Sequence, residues 1–206
     1  MLALVVIGSG IAAQQLSPGD VGLELLENAL ATGAGLYVLI VVFGAVSGAH
    51  FNPIVSFVDA AFAGISWTLA CAYGVAQVAG CVCGAITANA LFARATFELS
   101  TKHRASGPHF LSEVLATFGL LLVIFALARN GKHHLPAAVG AYITGAYFFT
   151  SSTSFANPAI AVGRMFSNTF AGIAPSSTPS FIAAEILGGV VGFVVVKALY
   201  PKVITT

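Results

Sequence analysis

The chain has 206 residues, of which 58% are hydrophobic and only 7% charged, far below the roughly one quarter charged that soluble domains carry. Its formal net charge of +1 gives no electrostatic footing for nucleic acid or a strongly anionic partner. A soluble globular protein is thereby excluded, and a single integral domain in contact with the lipid bilayer is expected.

The first apolar segment, Leu2 to about Leu16, measures about 22 Å as a helix, against a bilayer core of about 30 Å. No basic stretch precedes it to suggest a signal peptide, so it reads as a truncated first helix whose beginning lies upstream of Met1. Ser17-Pro18-Gly19-Asp20 is a turn, and residues 21–46 form a second helix. Its small residues, Ala29, Ala31, Gly33, Ala34 and Gly35, let neighbouring helices approach closely. At 49–54, Ala-His-Phe-Asn-Pro-Ile opens a helix over about 52–62, too short to cross. Asn52 is a favoured N-cap, and Pro53 fits the first helical position because its missing N–H had no partner there. Residues 67–92 make a third span. Its cysteines, Cys71, Cys81 and Cys83, lack metal-site spacing and are expected to be buried as small hydrophobes.

From 93 to 108 the chain turns polar (Arg94, Glu98, Lys102, His103, Arg104), as a connection between two halves. The same order then recurs: spans at about 109–128 and 135–152, a second Asn-Pro half-helix from Asn157, and a last span at about 179–199. The two asparagines are 105 positions apart, and Gln77-Val-Ala-Gly-Cys-Val-Cys-Gly returns as Glu185-Ile-Leu-Gly-Gly-Val-Val-Gly at an offset of 108. These are internal repeats, about 1–92 and 109–200. Three spans per repeat is an odd number, so the copies must be inverted and the half-helices must enter from opposite faces. If the Asn52 and Asn157 side-chain oxygens are spent on capping, their NH₂ groups remain free to donate into a lumen. Two positive helix ends meeting at mid-membrane would repel cations and protons while passing neutral solutes.

Ser-Gly-Ala-His-Phe-Asn-Pro at 47–53 and Asn157-Pro158-Ala159 resemble the paired signature loops of the aquaporin and glycerol-facilitator superfamily, the major intrinsic proteins, and the likeness runs over essentially the whole chain. It implies an all-α membrane protein of six transmembrane helices plus two re-entrant half-helices in inverted repeats, assembled as a homotetramer. It also implies cytoplasmic termini, here in a bacterial inner membrane. The lysines and arginines leave orientation open, with Arg129, Lys132, Lys197 and Lys202 on one side and Arg94, Lys102, Arg104 and Arg164 on the other. The first signature carries Ile54 where the family has Ala, a modest packing change. The family's constriction maps onto Thr32, Gly145, Ser154 and Ile160, the last replacing the usual Arg, so the filter should be wide and uncharged.

Arg164 lies one turn beyond Ile160 on the same face and either substitutes for the missing filter arginine or is a hydrated vestibule residue. Glu113 would be costly in hydrocarbon, and the resemblance implies that it braces a re-entrant loop. His50 either lines the inner vestibule or fixes loop geometry. Thr-Ser-Ser-Thr-Ser at 150–154 reads as polar pore wall, and His133 and His134 as solvated loop residues. Nucleophile elbows, phosphate loops and zinc motifs are absent, so neither catalysis, metal nor cofactor is expected. The reading is a passive channel for small neutral solutes: water, polyols, urea and undissociated metalloid acids such as arsenite. An ion-coupled carrier with inverted repeats and a closed-pore structural membrane protein are the competing classes.

Overall fold

A computed structural model of the protein describes residues 1–200, so Lys202 lies outside the described residues. Among these, the chain forms eight α-helices and no strand: α1 Leu2–Leu16, α2 Val21–Ser47, α3 Pro53–Ala61, α4 Trp67–Leu91, α5 Gly107–Asn130, α6 Leu135–Phe149, α7 Pro158–Arg164 and α8 Thr178–Leu199. A single 3₁₀ turn, Lys132–His134, precedes α6. α2, α4, α5 and α8 are long and apolar enough to cross a membrane unaided. α1 and α6, at 15 residues each, are the shorter members.

Local chemistry sets the ends of these helices. Asp20 caps α2 by accepting from Leu23 N at 3.0 Å, while Gly48, at φ 74°, closes it in the left-handed conformation that glycine adopts without penalty. Ser66 and Ser106 accept from Leu69 N and His109 N, both at 3.2 Å, to start α4 and α5.

The packing of α1–α4 recurs in α5–α8. α1 lies against α2 and α4 as α5 lies against α6 and α8, α2 packs on α6, and each half-helix, α3 and α7, touches both α4 and α8. Glycines permit the closest crossings. A Cβ on Gly33 of α2 would stand 2.8 Å from the Gly140 carbonyl oxygen of α6 and 1.9 Å from Thr144 Oγ1. The reciprocal Cβ on Gly140 would meet the Gly33 carbonyl oxygen at 2.7 Å. Because the obstacle is backbone, no rotamer change relieves it. Gly33→Val is therefore expected to cost well over the roughly 1–3 kcal/mol of ordinary overpacking, and size-exclusion chromatography of the purified variant should lose its monodisperse peak.

Ile54 finds its room in the same way, its Cγ2 resting 2.7 Å from where a Cβ on Gly189 of α8 would sit. The cysteines divide: Cys81 is buried, but Cys71 and Cys83 are exposed. The expectation of three buried cysteines is corrected for those two, which fall on the outward face of α4, where lipid supplies the apolar surroundings that burial was taken to provide.

Residues 93–106, expected as a connection, carry no regular structure yet are pinned to the segment after α7. Ser100 N donates to Met165 O at 2.8 Å, Ala174 N to Lys102 O at 2.8 Å, and Arg104 N to Ser177 Oγ at 3.0 Å. The connection therefore folds over one end of the bundle as a cover.

Candidate pore site

The two half-helices meet head to head. Asn52 Oδ1 accepts from Ile54 N at 2.9 Å, and Asn157 Oδ1 from Ala159 N and Ile160 N at 3.0 and 3.3 Å, so each asparagine caps its own helix with Pro53 or Pro158 in the first turn. The side-chain amides then cross over. Asn52 Nδ2 donates to Ala156 O at 2.7 Å, and Asn157 Nδ2 donates to Phe51 O at 2.8 Å. The expectation that both NH₂ groups would be wholly free is thereby corrected: one N–H of each clasps the opposite loop, and one is left over.

The receiving carbonyls are aimed by backbone that L residues seldom adopt. Ala49 and Phe51 ahead of Asn52, and Ser154 and Ala156 ahead of Asn157, all have φ between 48° and 50°. Each such residue costs of order 1–3 kcal/mol and persists only where its surroundings over-determine it. Two buried acids do this for the second loop. Glu113 Oε1 and Oε2 accept Phe155 N and Ala156 N at 2.9 and 2.7 Å, and Glu185 Oε1 accepts Asn157 N at 3.0 Å. Glu113 and Glu185 are fully buried, so three consecutive amides find acceptors where no water competes. Glu113 thus holds two amides of the second loop and Glu185 the third.

A cavity of about 200 Å³ runs past the clasp. Gly48, Ala49, His50 and Asp59, from the first half-helix and the loop before it, line it, as do Thr32, Tyr147, Ser154, Phe155, Ile160 and Arg164. His50 Nδ1 is 3.1 Å from Ser56 Oγ, and its Nε2 is 3.6 Å from Asp59 Oδ2. Of residues 150–154, only Ser154 reaches the lining; Ser151 instead bonds Ser112 at 2.9 Å. The expectation of a polar pore wall along this stretch is corrected to that one serine.

Gly145 is a correction. It is exposed on the outside of α6 and absent from the cavity lining. The inward stripe of α6 is Val139, Ile143 and Tyr147, four residues apart as helical phase demands, and Gly145 lies well off it. Tyr147 supplies the side chain at that level: its hydroxyl is 3.2 Å from Thr32 Oγ1. Thr32, Ser154 and Ile160 do line the cavity, and Ile160 is only 4% exposed.

Arg164 also lines the cavity while being 2% exposed. Its Nε donates to Ala171 O, and its guanidinium carbon sits 3.5 Å from the Phe155 ring centroid, a cation–π contact. Sequence reasoning missed Tyr147, Asp59, Arg104 and Phe155. Asp59 had a signal, being a lone acid inside an apolar half-helix. Arg104 had none, because its guanidinium reaches the site only through the fold of the connecting segment, 5.4 Å from the Phe155 ring.

The major intrinsic protein family model matches residues 1–154. Over 199 residues the chain is 45% identical to the aquaglyceroporin AqpS of Rhizobium meliloti, covering 97% of this chain and 85% of that one. It is 30% identical over 158 residues to a glycerol uptake facilitator protein of Streptococcus pneumoniae, covering 70% and 66%. Among solved structures, the aquaglyceroporin from Plasmodium falciparum superposes with a TM-score of 0.67 at 26% identity, over 99% of this chain and 92% of that one.

Proposed function

The chain belongs to the major intrinsic protein family and is an integral membrane, passive channel for small uncharged solutes, and on that footing we propose that it passes solutes larger than water: glycerol-like polyols, urea and undissociated metalloid acids such as arsenous acid. The carrying observation is the lining beside the clasp. Where a guanidinium would narrow the path, Ile160 presents an aliphatic side chain, and the nearest cation, Arg164, stands one turn further along α7. Thr32, Tyr147 and Ser154 supply the hydroxyls opposite it.

The mechanism uses groups fixed in advance. A solute that sheds its water shell in the narrow part exchanges it for the remaining Asn52 and Asn157 N–H donors and the lining hydroxyls and carbonyls. Dehydration of a neutral molecule is thereby offset, whereas that of a cation is not. The half-helix N-termini and Arg164 add positive potential on the path. We read residues 1–206 as one channel domain of repeats about 1–92 and 109–200, forming a homotetramer in a bacterial inner membrane with cytoplasmic termini. His50 belongs to the inner vestibule in this reading, and Arg164 is the displaced filter arginine.

Stopped-flow light scattering of proteoliposomes tests the reading. Permeability to water, glycerol, urea and arsenous acid should exceed that of empty vesicles, be independent of proton and sodium gradients, and not saturate. Zero flux for all four would leave only the closed structural reading, and gradient-driven flux would mean a carrier. In the same assay Arg164→Ala should raise cation leak. A unit charge acting over about 6 Å at an effective dielectric constant near 20 is worth roughly 3 kcal/mol, up to about two orders of magnitude before screening. An unchanged leak and an unchanged solute ranking would remove Arg164 from the filter.

A further inference from the structure

Three cations converge on three consecutive carbonyls at the Arg164 end of the cavity. Lys102 Nζ and Arg104 Nη2 both donate to Phe170 O at 2.9 Å, Arg164 Nε donates to Ala171 O, and Arg104 Nε donates to Gly172 O at 2.8 Å. Arg104 and Arg164 both stand over the Phe155 ring. Among the described residues, none of the three has a carboxylate within salt-bridge distance. The acids in their surroundings are engaged elsewhere: Glu113 and Glu185 by the amides of residues 155–157, and Glu24 by Gly19 N at 3.2 Å.

Arg164 is the unfinished member of this group. It is 98% buried and faces the cavity, yet among the described residues its two terminal nitrogens donate to nothing. A guanidinium fork whose outer nitrogens open only onto the cavity and have no protein acceptor among the described residues matches the geometry of an oxyanion, which accepts two parallel N–H bonds. Neighbouring cations without counter-ions add attraction and leave the cluster mutually repelled when empty.

We propose that the Arg164 end of the cavity is a binding site for a small free oxyanion, held by the Arg164 fork under the field of Arg104 and Lys102, where it blocks the solute path. The consequence for flux rests on the channel reading above; the binding itself does not.

Lys102 gives the site a pH signature. Partial desolvation of its ammonium against the 170–172 segment, then Arg104 and Arg164, lower its pKa to about 8, with Glu24 pulling the other way, although much of the side chain stays exposed. Its charge is present at pH 7 and lost as pH rises through about 8, so oxyanion affinity should fall over the same interval.

Sulfate is the probe, because its charge is fixed across this range. Isothermal titration calorimetry of the detergent-purified channel should detect sulfate binding at pH 7 that weakens by pH 9. Lys102→Gln, at an exposed position outside the path, should bind about tenfold more weakly at pH 7 and lose the pH step, with glycerol flux in sulfate-free buffer unchanged. Arg164→Gln should bind no sulfate. In proteoliposomes sulfate should slow wild-type glycerol flux with a saturating dose response, chloride at equal ionic strength serving as reference. Absent calorimetric binding in the wild type, or equal binding and pH dependence in Lys102→Gln, overturns the site. Binding without glycerol flux in any buffer overturns the channel reading and leaves the site standing.

Discussion

Glu113→Leu is expected to abolish both flux and the folded channel. The carboxylate takes the amides of Phe155 and Ala156 at 2.9 and 2.7 Å in a place fully closed to solvent. Leucine fills the space but accepts nothing. Each buried N–H left without a partner costs roughly 1–3 kcal/mol, so two cost roughly 2–6 kcal/mol against a total stability of only about 5–15 kcal/mol. The loss also falls on a loop already holding Ser154 and Ala156 at positive φ, so the strained turn relaxes and the Ala156 carbonyl leaves Asn52. Glu113→Gln keeps one acceptor and sets an NH₂ against the second amide, and should fall between. Glu185→Gln should be milder still, since Glu185 holds a single amide that the glutamine oxygen can still accept. Thermal unfolding of the purified variants and their glycerol permeability check the order. A Glu113→Leu channel that melts and conducts like the parent would contradict the bracing role.

Ile160→Arg is expected to reduce glycerol and arsenous acid permeability by at least about tenfold while leaving water flux within a small factor. Ile160 lines the cavity at 4% exposure, so a longer side chain there has little direction open to it except the lumen. Arg164 one turn away adds repulsion of roughly 3 kcal/mol at about 6 Å and an effective dielectric constant near 20, which drives the new guanidinium away from α7 and across the path toward Thr32 and Tyr147. Water, the smallest solute, still passes beside it; a three-carbon polyol does not. Side-by-side permeabilities of the two proteins give the answer, and an unchanged solute spectrum would put the narrowest point elsewhere, with the Thr32–Tyr147 pair the next residues to alter.

Much of this architecture was legible before folding was considered. The observed helices begin and end within a few residues of the expected segments because their ends are set by local groups: Asp20, Ser66, Ser106, Asn52 and Asn157 as caps, Gly48 as a stop. The half-helices were legible for the same reason, since an Asn-Pro start needs nothing beyond its own first turn. Ile160 was placed at the path by the family resemblance, and it does line the cavity.

Which face of α6 turns inward was not legible. In water an amphipathic stripe would mark it, but in lipid both faces are apolar, and the bilayer is as hospitable to Phe148 and Phe149 as the interior is to Val139 and Ile143. Gly145 was placed at the path by the family resemblance alone, whereas the close crossing of Gly33 of α2 with Gly140 of α6 goes with Tyr147 facing the cavity. The partners of the Asn52 and Asn157 amides, the acceptance of Asn157 N by Glu185, and the placing of Lys102 and Arg104 over the Arg164 mouth join residues 28 to 106 positions apart. Chemistry confined to one helical turn was written in the order of residues. The side chains that meet in the path were chosen by packing, because only the assembled bundle decides which buried polar groups are within reach of one another.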